Sequence, residues 1–215
     1  MSTALLGRKL GMTQFFSEDG RAIPASVVQV GPCVVTQIKT EDGPDGYNAV
    51  QIAFKDVSES RLNKPSLGHL AKAGVGAHKH LKEFRVSSVE EAQGFETGQV
   101  LDSSAFADIK FVDVQGTTKG RGTAGVIKRW GFKGAKEASH GTHEKFRHGG
   151  AIGMSAYPSR VHKNKKMPGH YGVDSRTVTK LKVLQVNAEG NYILIKGSIP
   201  GAANALVVVR PSSRG

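Results

Sequence analysis

Residues 119–172, KGRGTAGVIKRWGFKGAKEASHGTHEKFRHGGAIGMSAYPSRVHKNKKMPGHYG, decide how this chain is read. They hold twelve Lys/Arg against two acids, Glu137 and Glu144, within a chain of 215 residues whose formal charge is +12. Outside them 18 bases face 16 acids, so an almost neutral protein carries one basic segment in its middle. The same stretch has eleven of the 27 glycines, five of the eight histidines and the single tryptophan. Glycines at 120, 122, 125, 131, 134, 141, 149, 150 and 153 defeat a helix or a long strand, and no apolar period runs through the segment. A long irregular stretch inside a compact chain needs something to order it. Cations repel one another but pack against phosphates, and glycine lets backbone approach a ligand closely. The segment therefore predicts a loop that meets a polyanion.

Its flanks read as β-structure. Ala25–Val30 and Cys33–Lys39 are β-branched runs parted by Gly31-Pro32, and Tyr47–Phe54 alternates after the turn at 41–46. Ile109–Val114 alternates imperfectly, and Thr177–Val186, Tyr192–Lys196 and Ala205–Arg210 follow at the spacing of a small barrel or sandwich. Pro65–Ala73 has Leu67, Leu70 and Ala71 at helical spacing with Gly74 beyond, which predicts one short helix in an insertion. The expected fold is mainly β: a small barrel from 1–56, 98–118 and 173–215, a subdomain with one short helix at 57–97, and the basic loop at 119–172.

Several classes drop out. One cysteine, Cys33, makes no internal disulfide, and its apolar strand reads as core. Apolar runs of about five residues are far short of the ~20 that span a bilayer, and Met1–Leu10 does not resemble a signal or transit peptide. The expectation is a soluble protein of a reducing compartment, the cytosol, with no membrane partner.

The sharpest decoy is Gly120-Arg121-Gly122-Thr123-Ala124-Gly125, a literal G-x-G-x-x-G. A dinucleotide site needs a strand directly before it, a helix directly after and an acid about twenty residues on. Here five residues part the strand from Gly120, Gly131 and Gly134 cut the helix, and Glu137 comes in the wrong context. His140, His143 and His148 lie among Lys128, Arg129, Lys133, Lys136, Lys145 and Arg147, a repulsive field for a dication, so no metal is expected. Ser139-His140 are neighbours with no acid to orient the imidazole. No cofactor, small-molecule substrate or catalytic constellation is expected. The rivals are an enzyme using Gly120–Gly125 for a nucleotide and an RNA chaperone working outside any larger particle.

Cations interleaved with stackable rings (Trp130, Phe132, Phe146, Tyr157, Tyr171 and the histidines) favour nucleic acid, and irregular loops favour RNA. Lys119, Arg121, Lys128, Arg129, Lys133, Lys145, Arg147, Arg160, Lys163, Lys165 and Lys166 are expected to meet phosphates. Trp130, His140, His143, His148, His162 and His170 are expected to stack on bases or bond to them.

The chain resembles a known family at the same residues. Gly116–Gly122, Gly125–Trp130, Ser139–Gly141, Gly150–Gly153, Pro158–Val161, Lys165–His170 and Leu194–Gly201 resemble, in order, the large-subunit ribosomal protein L3 family in its bacterial form. So do Leu6–Phe16 at the N-terminus and Gly68–Val75 in the helical insert. The resemblance implies a barrel of the translation-protein type and a loop that enters large-subunit ribosomal RNA toward the peptidyl transferase centre. It also implies binding near the 3′ end of that RNA early in assembly, neighbouring ribosomal proteins as partners, and no catalytic activity. Lys9 joins the expected RNA contacts, and Met154, Ser155, Ala156 and Tyr157 fall at the loop tip. Many bacterial members carry a methylated glutamine where this chain has Ala156, so that modification is expected to be absent. Thr123 stands where Phe is common, Lys136-Glu137 replaces a Gly-Pro-like step, and Gly149-Gly150 replaces Pro-Gly. Homo-oligomerisation is not expected.

Overall fold

The computed structural model describes residues 4–135 and 140–213. Twelve strands appear among them: β1 (Leu5–Phe16), β2 (Ala22–Val30), β3 (Cys33–Lys39), β4 (Ala49–Asp56), β5 (His78–Arg85), β6 (Val100–Leu101), β7 (Phe111–Thr117), β8 (Thr123–Ala124), β9 (Gly169–His170), β10 (Ser175–Asn187), β11 (Tyr192–Lys196) and β12 (Leu206–Pro211). Three α-helices accompany them, α1 (Lys64–Lys72), α2 (Val89–Gln93) and α3 (Val126–Trp130). The chain divides into two compact units, one reaching to Thr117 and resuming at Ser175, the other spanning Thr118–Asp174. None of the described helices is long and apolar enough to cross a membrane.

In the first unit six antiparallel strands close in the order β1-β12-β7-β10-β11-β2. Alternation sends one side chain in two inward. Leu5, Val28, Val30, Val112, Val114, Ile193, Ile195 and Val209 are fully buried, and Val207 almost so. Gly7 is required where β1 crosses β2, because a Cβ there would run into the Gln29 carbonyl oxygen. The imperfect alternation of Ile109–Val114 has its cause in Asp113, which is 3% exposed. Its Oδ1 accepts from the Lys180 backbone N–H at 2.9 Å, and its Oδ2 pairs with Arg210 at 3.5 Å. Lys180 has φ +55 where the β7–β10 register slips, so the buried carboxylate satisfies the amide that this bulge frees.

The second sheet corrects the expected boundaries. β3 and β4 do not join the closed set; they pair in the order β5-β4-β3-β6, so residues 33–56 belong with the segment expected to be an insertion. That segment contains a further strand, β5, and a second helix, α2, besides the one helix expected. The reason is burial. Val35, Val50 and Ile52 are as buried as the barrel residues and share one continuous core with Leu5, Leu6, Phe95 and Phe106. Helix α1 stands where expected. The Asn63 side chain accepts from the Ser66 N–H at 3.0 Å, Pro65 occupies the first turn, and the Val75 N–H returns to the Leu70 carbonyl past Gly74 at φ +68.

Phe106 has no exposed surface and is among the largest fully buried side chains. Phe106→Ala is expected to cost about 3–5 kcal/mol, read as a lowered urea midpoint at unchanged slope.

A polar network ties the second sheet together. Glu83 accepts from Lys39 at 2.9 Å, from the Tyr47 hydroxyl at 2.8 Å and from Gln51 Nε2 at 3.2 Å. Gln51 Oε1 in turn accepts from Thr36 at 2.9 Å and from His69 Nε2 at 2.6 Å, which anchors α1. The Lys39 ammonium holds the Glu83 carboxyl below the usual carboxylate range, with Tyr47 and Gln51 assisting. A depressed folded value gives stability that is present above the ordinary carboxylate pKa and lost as pH falls through the depressed one. Glu83→Gln is therefore expected to flatten the acid limb, losing less urea midpoint than the parent between about pH 5 and about pH 3. The Cys33 thiol is fully buried, and burial pushes its pKa up to about 12, which makes it unreactive.

Candidate nucleic-acid interface

The second unit is built as two limbs tied at successive rungs. At its base the Thr118 N–H donates to the Asp174 carbonyl at 2.9 Å, and the Asp174 N–H donates back to Thr118 Oγ1 at 3.1 Å. Gly172, at φ +86, passes so close to Lys119 that any Cβ would run into the Lys119 carbonyl oxygen. One rung up, Arg121 and Tyr171 are joined by a backbone bond of 2.9 Å, and the Arg121 guanidinium lies 4.9 Å from the Tyr171 ring centroid. β8 then pairs with β9, Thr123 against His170 and Ala124 against Gly169.

Above the ladder the chain turns into α3, which corrects the expectation of no helix in this segment. Five residues suffice for one turn, and Gly131 at φ +72 ends it with its N–H returned to the Ile127 and Val126 carbonyls. Gly120 through Gly125 therefore lie in a two-strand stem leading to a single helical turn. Among the described residues no parallel sheet stands before them, and the dinucleotide reading loses its framework.

Trp130, expected to stack on bases or bond to them, turns its indole N–H to the protein's own backbone. Its indole N–H donates to the Met167 carbonyl at 2.8 Å, Arg129 Nη1 donates to the same oxygen at 3.1 Å, and the ring is 41% exposed. The guanidinium of Arg129 lies 5.0 Å from the indole centroid and the Lys166 ammonium 5.7 Å.

Farther out, the Ala135 N–H donates to the Phe146 carbonyl at 3.3 Å, and His143 meets Phe146 edge-on at 5.9 Å. Phe132, Lys133, Lys145, His148 and the Gly149-Gly150 backbone line a hollow of about 580 Å³, with cations and no acid among the described residues. Residues 150–168 are almost wholly exposed, Met154 at 71% and Tyr157 at 87%, and a bond from Ser159 Oγ to the Ala156 carbonyl shapes the turn between them.

Among the described residues, no cation of this unit stands in an ion pair, while Lys39 and Arg210 of the first unit do. Lys119, Arg121, Lys128, Lys133, His140, His143, Lys145, Arg147, His148, Arg160, His162, Lys163, Lys165, Lys166 and His170 are all exposed, and Arg129 is half-buried. Lys9 is placed elsewhere: it lies in the first unit, and its ammonium donates to the Ile199 carbonyl at 2.9 Å and the Gly201 carbonyl at 3.3 Å. Ser139 and Lys136-Glu137 lie outside the described residues. The Trp130–Met167 contact was not readable beforehand, because its partners are 37 residues apart and share no local pattern.

Comparison with known proteins finds relatives along nearly the whole chain. A family model described as ribosomal protein L3 matches residues 76–191. A relative from Magnetococcus marinus named "Large ribosomal subunit protein uL3" is 52% identical over 210 residues, covering 98% of this chain and 96% of the relative. Proteins of the same name from Geobacter sulfurreducens and Corynebacterium jeikeium are 50% and 48% identical, each over 98% of this chain and over 97% and 94% of their own lengths.

Proposed function

The chain belongs to the ribosomal protein L3 family, and on that premise we propose that it is a structural constituent of the large ribosomal subunit whose residues 118–174 bind the subunit's RNA. One observation carries the reading: the cations of an entire unit lack anionic partners among the described residues, while the remainder of the chain is nearly neutral. Such a surface gains most from phosphate, through ion pairing and the counterions it releases. Irregular backbone fits RNA junctions better than a regular groove.

In this reading Lys119, Lys128, Lys133, Lys145, Arg147, Arg160, Lys163, Lys165 and Lys166 neutralise phosphates, and the exposed histidines bond to phosphates or bases. The first unit, a barrel of the translation-protein type with its attached second sheet, takes the subunit surface beside neighbouring ribosomal proteins. The uncharged turn Met154–Tyr157 reaches toward the peptidyl transferase centre, and Ala156 leaves it without a glutamine to methylate. The contact forms near the 3′ end of the RNA early in assembly, in the cytoplasm, as one copy per particle and without catalysis by the chain itself.

The lone native thiol is buried and unreactive, so Ala156→Cys offers a single labelling site. A hydroxyl-radical source tethered there, in assembled subunits, is expected to cleave RNA of the peptidyl transferase centre. Cleavage confined to the particle's outer surface would sink the placement of the tip.

A further inference from the structure

We propose that Trp130, Arg129 and Lys166 form a clasp that closes the RNA-binding unit before RNA arrives, so that Trp130 is a positioning residue and not a base-stacking one. The proposal rests on the RNA-binding reading and adds how the arm is held. Two limbs carrying Lys128, Arg129, Lys165 and Lys166 side by side should repel each other in the free protein. The structure shows what opposes this. One carbonyl, Met167, receives both the indole N–H at 2.8 Å and an Arg129 N–H at 3.1 Å, using two lone pairs on one oxygen. The indole π-face takes Arg129 from its own limb and Lys166 from the opposite one, at 5.0 and 5.7 Å, which turns two repelling charges into contacts with one ring.

The backbone is cut to suit. Trp130 is the last residue of α3, which the left-handed Gly131 ends. Gly169 stands opposite, and a Cβ there would lie 2.6 Å from Arg129 Nη1, so the guanidinium reaches Met167 across a glycine. The β8–β9 pair lies directly beneath, with Ala124 opposite Gly169. The clasp thus caps a ladder that begins at Thr118 and Asp174. An arm closed in this way loses its conformational entropy on folding, and less remains to be lost on binding.

The single tryptophan makes the test direct. In the free full-length chain, amide exchange at Arg121 and Tyr171, whose N–H groups bridge the limbs, is expected to speed up by about tenfold in Trp130→Ala and in Arg129→Lys. Arg129→Lys keeps the charge and the indole, so a Trp130 that only stacked on bases would leave that exchange unchanged. With a large-subunit RNA transcript as probe, both variants should lose affinity by about tenfold at an unchanged salt slope, whereas Lys133→Gln should lower the slope by about one. Trp130 emission should barely change when RNA binds. Unaltered exchange in both variants, or indole emission quenched by RNA, would overturn the clasp. Failure of the parent chain to bind RNA while exchange responds as expected would overturn the RNA-binding reading and leave the clasp standing.

Discussion

Raising the salt from 50 to 200 mM should weaken binding of the full chain to naked large-subunit RNA by about 10³–10⁵-fold, the loss expected for 6–10 phosphate contacts. The structure narrows which cations supply them. Arg129 is committed to Met167 and Trp130, and Arg121 lies over Tyr171, so neither is counted first. Lys166 lies over Trp130 and is set aside likewise, so Lys119, Lys128, Lys133, Lys145, Arg147, Arg160, Lys163 and Lys165 remain, all exposed and without ion-pair partners among the described residues. If about eight of these meet phosphate, the slope of log affinity on log salt should be about −6 to −7. Titration of filter-bound or fluorescent RNA measures it. A slope near −2 would mean that the basic segment only decorates a surface.

Excising residues 119–173 and joining Thr118 to Asp174 through a two-residue Asn-Gly turn should abolish that binding while leaving the first unit folded. Thr117 and Ser175 are already cross-strand partners in the β7–β10 pair, so the cut falls between strands held at the right distance. The closed strand order and its core lie wholly outside the excised segment. What remains has 18 bases and 16 acids, too little excess charge to hold RNA at moderate salt. Far-UV dichroism and the urea transition should persist at reduced chain length, and RNA affinity should fall to background. Loss of the β signal would show that the second unit is needed to fold the first. Persistent binding would move the RNA site to the first unit.

The sequence exposed some of this architecture and concealed the rest for physical reasons. β3 and β11 were readable to the residue, and β10 and β12 nearly so, because β-branched residues in strongly alternating or fully buried runs leave few other conformations. β1 is not legible as a strand, since Gly7, Arg8, Lys9 and Gly11 interrupt its pattern. Gly7 is there for a close approach to β2, a long-range cause invisible locally. β5 hid behind Lys79, Lys82 and Arg85, exposed cations of the kind by which an edge strand avoids further pairing. The assignment of β3 and β4 to the barrel failed because strand propensity does not say which strand is the neighbour.

In the candidate site, charge and glycine content marked off the stretch that folds as the second unit, since both are local properties of composition. The duties of Lys9 and Trp130 were not marked. Each is set by a carbonyl far along the chain, at Ile199 and Met167. A basic or aromatic residue looks the same in sequence whether its donor faces a phosphate or a backbone oxygen.

The most direct measurement is sedimentation of a cell lysate through a density gradient, with fractions probed for this chain at low and at high salt. Co-migration with large subunits that survives high salt is expected, because an arm enclosed by folded RNA cannot leave as its ion pairs weaken one at a time. Release at moderate salt, or migration as free protein at low salt, would contradict placement of residues 118–174 inside the subunit.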